Sequence, residues 1–268
     1  MNAVIFDVAL TAYILAAAAA IGSLAGRREQ LGWVARLLTQ AGFGCHTAAV
    51  ILRGMELRRL PVMTMAEVIS VVIWAVVLVD LWLERRQRIR PLSAFVLPVV
   101  LGLGLGLPTG LRAYALEPPA SSGWIVVHVA LVLVGLAALV VNFGGALMYL
   151  LQERQLKARR PGKISYGLPP LETLDRLTVA TLTVGFPFLT VGLALGVLSA
   201  RTAWGTVMAF DPLALFSLLM WAIYAAILGG RVMGHWRGRR AAYFSIAGFC
   251  LMLVSLGAGV FLHGRHGL

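Results

Sequence analysis

The sequence predicts an all-α, polytopic membrane protein of about eight transmembrane helices with both termini outside. Three observations carry that reading. The 268-residue chain is 60% hydrophobic and 13% charged, against about 25% charged in soluble domains. Its apolar residues come in repeated runs long enough to cross a hydrocarbon core as helices. Its basic residues alternate along the chain. The odd connectors between runs hold Arg27, Arg28 and Arg36, then Arg85, Arg86, Arg88 and Arg90. They continue with Arg154, Lys157, Arg159, Arg160, Lys163 and Arg176, then Arg231, Arg237, Arg239 and Arg240. The even connectors and the C-terminus keep only 6 of the 23 basic residues, so the positive-inside bias puts the odd connectors in the cytoplasm. The same placement accounts for the net charge of +12 without nucleic acid, which is not expected as a partner.

The first run, 3–24, follows a leader with no basic residue, and its basic cluster comes after it. That order fits a retained helix with its N-terminus outside and not a cleaved signal. The second, 34–53, carries Cys45 and His46; the third, 66–84, carries Asp80. Cys45 and Cys250 have no C-x-x-C spacing and are expected as small buried side chains, not a redox pair. The fourth, 92–108, is the weakest helix, because Pro98 and the alternating Gly102, Gly104 and Gly106 oppose it. The fifth, 124–151, is about 28 residues long and must tilt or emerge, since at ~1.5 Å per residue it exceeds a core of ~30 Å. The connector 152–176 is basic, then rich in Pro and Gly; its end, 171–176, is expected as a short surface helix before the sixth run, 177–199. The seventh and eighth runs are 212–232 and 241–262. Gly135, Gly144 and Gly145 in the fifth run, with Gly185, Gly192 and Gly196 in the sixth, mark helix contacts. No connector is long enough for a soluble domain, so 1–268 is expected as one transmembrane domain.

The functional signal lies on the outer side. Residues 204–212, Trp-Gly-Thr-Val-Met-Ala-Phe-Asp-Pro, are aromatic where a return loop should be polar. Such a loop anchors in the interface or holds a flat ligand. Four of the five histidines lie in or near the outer half; His235, in the basic connector, reads as solvated. His128 follows Trp124 by one turn and shares a helix face with Gly135 and Asn142. A polar, small face should meet protein, and an ionisable residue there reads as a functional site or as a structural, hydrogen-bonded imidazole. His263 and His266 follow the eighth run; His46 lies within the second, as a ligand, a proton carrier or a packed polar residue. Two imidazoles can ligate one iron from opposite sides, flat side chains suit a porphyrin, and outer arginines can meet its propionates. Zinc fits less well, because no outer cysteine or tight histidine pair completes four ligands.

This constellation resembles the cytochrome c assembly family of haem-handling membrane proteins, the CcsA, CcmC and CcmF group, and within it the CcsA branch. The family's outer loop reads W-G-x-x-W-x-W-D between two haem-ligating histidines. Here Trp204-Gly205 and Asp211-Pro212 supply the frame, His128 after Ser122-Gly123-Trp124 matches the first histidine, and His266 in Gly264-Arg265-His266-Gly267 matches the second. Met148 to Lys157, Leu171 to Leu177, Gly185-Phe186-Pro187, Trp236 to Ala241, and Pro61 with Glu67 are similar to family segments, so the likeness covers about residues 34–268. Met208 and Phe210 stand where the loop has its second and third tryptophans: still apolar, but without indole N–H donors. Gly229 stands where the CcsA branch usually has a histidine, so no inner haem ligand is expected there.

The resemblance implies a subunit of a cytochrome c biogenesis system in the bacterial cytoplasmic membrane, at most the membrane part of a haem lyase complex. It implies non-covalent b-type haem in transit, with His128 and His266 as axial ligands. Trp124, Trp204, Met208, Phe210 and Asp211 would shape its platform, with His263 and His46 as lesser candidates. Its partners would be a CcsB-like membrane protein with an outer domain, and an apocytochrome c carrying C-x-x-C-H. Two other readings compete: a family-like scaffold that has lost haem handling, and a solute transporter using His46, Asn142 and Asp80. The second lacks the repeated half-chain pattern of transporters.

Overall fold

The computed structural model describes residues 3–26, 28–62, 64–87, 89–105, 123–158, 167–204, 212–234 and 236–263. The loop residues Met208, Phe210 and Asp211, along with His235 and His266, lie outside them. Helices dominate: α1 (Ala3–Gly26), α2 (Glu29–Leu57), α3 (Met65–Gln87), α4 (Ser93–Leu105), α5 (Gly123–Lys157), α6 (Leu171–Trp204), α7 (Pro212–Val232) and α8 (Arg239–His263). Among the described residues, five stretches are long and apolar enough to cross a membrane, in α1, α3, α5, α6 and α7. A 3₁₀ turn, Arg90–Leu92, leads into α4, which covers 13 residues and tolerates Pro98 within it.

The boundaries follow local chemistry. At α3 the Thr64 hydroxyl accepts from the Glu67 backbone N–H at 3.1 Å, while the Glu67 carboxylate accepts from the Thr64 N–H at 3.3 Å. This is a reciprocal capping box. Pro212 opens α7, where its missing N–H costs nothing. Arg58 closes α2 in the left-handed region at φ 50°, its N–H returned to Met55 O.

Two expectations change. The segment 171–176 is not a separate surface helix: Leu174 N–H donates to Pro170 O, and α6 runs unbroken for 34 residues. Only Pro169 and Pro170 punctuate the chain there; nothing between 176 and 177 breaks the helical ladder. Nor are the cysteines buried, since Cys45 is half-buried and Cys250 exposed, both free. A thiol can face hydrocarbon, so the surface of such a bundle need not exclude it. The fifth run does overreach, as expected: α5 has 35 residues, about 52 Å at ~1.5 Å per residue.

α5 and α6 form the main seam, α1 packs on α2, α7 on α8, and α3 and α8 also lie against α5. Among the described residues, most of the buried interior is one cluster that includes Tyr13, Ile73, Leu97, Leu139, Met148, Leu189 and Tyr224, with a small second one of Ala20, Ala35 and Ala94. At the α2–α3 end, Glu67 is 4% exposed and gathers Arg53 (Nη2–Oε1 3.3 Å) and Arg59 (Nη1–Oε2 3.0 Å). Glu67→Ala removes the cap as well as the anion and leaves two guanidiniums facing each other. Both keep about a third of their surface, at 29% and 35%. The expected loss is therefore on the order of 2 kcal/mol, below that of a fully buried pair. Thermal unfolding of the purified protein in one detergent, wild type beside variant, checks it.

Candidate functional site

His128 sits near the start of α5, and its ring points at α6. Nδ1 lies 2.6 Å from Gly192 O, and that carbonyl can only accept, so in the neutral ring Nδ1 carries the hydrogen. Nε2 then keeps the lone pair, the one an iron would take. The ring fits because α6 has no side chain there: a Cβ built on Gly196 would stand 2.7 Å from Cε1 and 3.1 Å from Nδ1.

The face read from the sequence continues down the seam. Gly135 approaches Leu189 and Gly185 O closely. Asn142 Nδ2 donates to Thr178 O at 2.7 Å and to Thr181 Oγ1 at 3.1 Å. Partners on α6 fall in number as positions on α5 rise, so the two helices are antiparallel. His128, Gly135 and Asn142 do face protein.

The other end of the seam fixes where the remaining candidates lie. Asp175, at the start of α6, receives Arg231 from the end of α7, with Nη2–Oδ1 at 3.0 Å and Nη1–Oδ2 at 3.1 Å. It also accepts from Gly238 N–H, just before α8, at 3.4 Å. Gly238 takes φ +60°, and a Cβ there would meet the Tyr149 hydroxyl at 2.5 Å. The starts of α6 and α8 and the end of α7 therefore share one end of the bundle. The ends of α6 (Trp204) and α8 (His263) and the start of α7 (Pro212) are carried to the opposite end, where His128 lies. Trp204 and Pro212 bracket 205–211, and His263 is the last residue before the terminal Gly264-Arg265-His266. Trp124, one turn from His128, is 60% exposed.

The remaining candidates sit elsewhere. His46 is fully buried among α1, α2 and α3, with Ser70 Oγ 3.0 Å from Nε2 and Tyr13 OH 3.4 Å from Nδ1. Phe6 and Tyr13 stand edge-on to its ring. Both ring nitrogens have partners, so its surroundings suit a packed polar residue. Asp80 is also fully buried; Ser93 Oγ donates to its Oδ2 at 2.6 Å. Of the arginines expected on the outer side, Arg59 is committed to Glu67, and Arg53 to Glu67 and Glu56. Among the described residues, no three His, Cys, Asp or Glu side chains gather as a metal-binding group.

An open cleft of about 440 Å³ lies at the Asp175 end, lined by Tyr149, Glu153, Glu172, Asp175, Arg237 and Arg239. It is roughly 30 Å from His128 along α5, counting ~1.5 Å per residue, and mixes both charge signs. It therefore belongs to the Asp175 clasp and not to the histidine site.

Sequence reasoning missed two things. It counted Gly192 and Gly196 as routine packing and did not see a carbonyl and a notch serving His128; their four-residue spacing was the available signal. It also passed over the Asp175–Arg231 pair, whose members are 56 positions apart.

Comparison with known proteins shows the family. A family model described as Cytochrome C assembly protein matches residues 62–264. The cytochrome c biogenesis protein CcsA of Guillardia theta is 29% identical, with 83% of this chain and 81% of that protein covered. Those of two Synechococcus strains are similar: CC9605 at 31%, covering 85% and 86%, and RCC307 at 29%, covering 96% and 92%.

Proposed function

The chain belongs to the cytochrome c assembly protein family, and from that premise we propose that it holds haem at the outer membrane face for attachment to apocytochrome c. The observation that carries the proposal is His128, whose Nδ1 is occupied by Gly192 O so that Nε2 is left to ligate. His266 is the opposing ligand in this reading. Trp204, Met208, Phe210 and Asp211 form the platform, and Trp124 and His263 flank it. In this reading these groups lie on the non-cytoplasmic side of a bacterial cytoplasmic membrane, with eight crossings and both termini outside; the alternation of basic connectors supports it.

Haem, when bound, would supply the reactive chemistry: its vinyl groups would take up the cysteine thiols of a reduced C-x-x-C-H segment, S to one vinyl carbon and H to the other. The chain's own residues bind and orient the macrocycle so that attachment becomes a local event. A CcsB-like membrane partner with an outer domain would deliver the apocytochrome.

Met208 and Phe210 in place of two loop tryptophans, with Gly229, favour one other reading, a family-like membrane scaffold that has lost haem handling. The two readings separate on two measurements. Protein purified from haem-replete cells is expected to carry b-type haem at near one per chain by pyridine haemochrome. Deleting the gene is expected to stop covalent haem attachment. Haem-free protein together with normal cytochrome c maturation in the deletion strain would overturn the proposal.

A further inference from the structure

Resting on the haem reading above, the geometry points to a second function of the α5–α6 seam: Gly192 and Gly196 form a positioning notch that sets the tautomer and ring plane of His128. Gly192 supplies the acceptor. Its carbonyl lies 2.6 Å from Nδ1, a hydrogen bond at the short extreme for N–H to O. An acceptor on Nδ1 selects the Nδ1–H tautomer and frees Nε2, and such outer partners orient ligating imidazoles in metal sites generally.

Gly196 supplies the space. It lies one helical turn beyond Gly192, and a methyl there would stand 2.7 Å from Cε1, 3.1 Å from Nδ1 and 3.5 Å from Nε2. All three atoms lie on one edge of the ring, so the notch wall limits how the ring turns as well as how near it comes. His128 cannot keep both its present place and its bond to Gly192 O if that wall gains a side chain. The two glycines touch no ligand in this arrangement; they are positioning residues that act through His128.

Simple disruption of the seam makes a different prediction, and the structure contains its own control. At Gly185, on the same helix pair, a built Cβ would stand 2.7 Å from Ala138 Cβ. Gly185→Ala is thus as tight a clash at the same seam, with no histidine involved.

The test reads the imidazole directly. Protein labelled with ¹⁵N-histidine is produced without haem in a haem-synthesis-deficient host, and His128→Ala assigns the His128 resonances. Wild type is expected to show the Nδ1–H tautomer at His128. Gly196→Ala is expected to lose that bias and, once haem is supplied, to hold it about 10-fold or more weakly with a shifted reduction potential. Gly185→Ala is expected to lower thermal stability while keeping both the tautomer and the potential.

An Nε2–H tautomer in wild type would overturn the inference, and that measurement requires no variant to fold. A wild-type signature in Gly196→Ala, or the same tautomer change in Gly185→Ala, would overturn it as well. If His128→Ala keeps full haem, the haem reading fails instead, while the haem-free tautomer still decides the notch.

Discussion

Replacing His128 with alanine is expected to remove most of the haem from the purified protein and to abolish any bis-histidine absorption spectrum. Its Nε2 keeps a lone pair for a metal, since its other nitrogen is tied to Gly192 O. If His128 ligates haem as proposed, removing it should cost more than disturbing the partner that orients it, for which about 10- to 100-fold in affinity is typical. Occupancy is therefore expected to fall at least that far. His266→Ala is expected to leave a spectrum with one histidine ligand missing, because His128 and its seam are untouched. Pyridine haemochrome quantitation beside reduced and oxidised spectra checks both variants. Full occupancy in both would remove these histidines from the site. His46→Ala is the useful contrast: its ring is enclosed by Phe6, Tyr13 and Ser70, so its loss should lower stability and leave the spectrum alone.

The largest effect on stability is expected at the other end of the bundle, from Asp175→Ala. Arg231 is 9% exposed, and its Nε already lacks a hydrogen-bond partner among the described residues. Asp175 is its counter-ion through two contacts and also accepts from Gly238 N–H. Taking it away strands a buried guanidinium, for which about 3–5 kcal/mol is typical. That exceeds the estimate for Glu67→Ala, where both arginines reach solvent. The clasp joins α6, α7 and the entry to α8, so its loss should loosen α7 and α8 together. Protease sensitivity of the connector 233–238, with thermal unfolding in the same detergent, is the check. Unchanged unfolding would mean that Arg231 finds another partner. Arg231→Met should cost less than Asp175→Ala, because it removes the buried charge along with its partner.

Much of the fold was legible because a bilayer leaves few choices. Long apolar runs must become helices, as hydrocarbon offers no partner to backbone N–H and C=O groups. Runs α3, α5, α6 and α7 stand close to where hydropathy put them. Errors fell where hydropathy says nothing. The polar turns 171–176 continue α6 because helix continuity depends on backbone hydrogen bonds and not on apolarity. Within the site, the near-seven-residue spacing of His128, Gly135 and Asn142 was enough to predict a protein-facing stripe, because side chains at that spacing share a face. The likeness of the 204–212 frame and its flanking histidines pointed to the family that the comparisons show.

The order of residues by itself determined the class of the protein, its family, the alternation of basic connectors and which face of α5 turns inward. All of these depend on composition or on spacing along one helix. Only the tertiary structure decided that the inward face meets α6 in antiparallel register, that Gly192 O takes the hydrogen on His128 Nδ1, that His46 is enclosed, and that Asp175 holds Arg231. The reason is physical: each of these depends on two groups far apart in the chain meeting within hydrogen-bonding distance, and that range is set by how the helices pack.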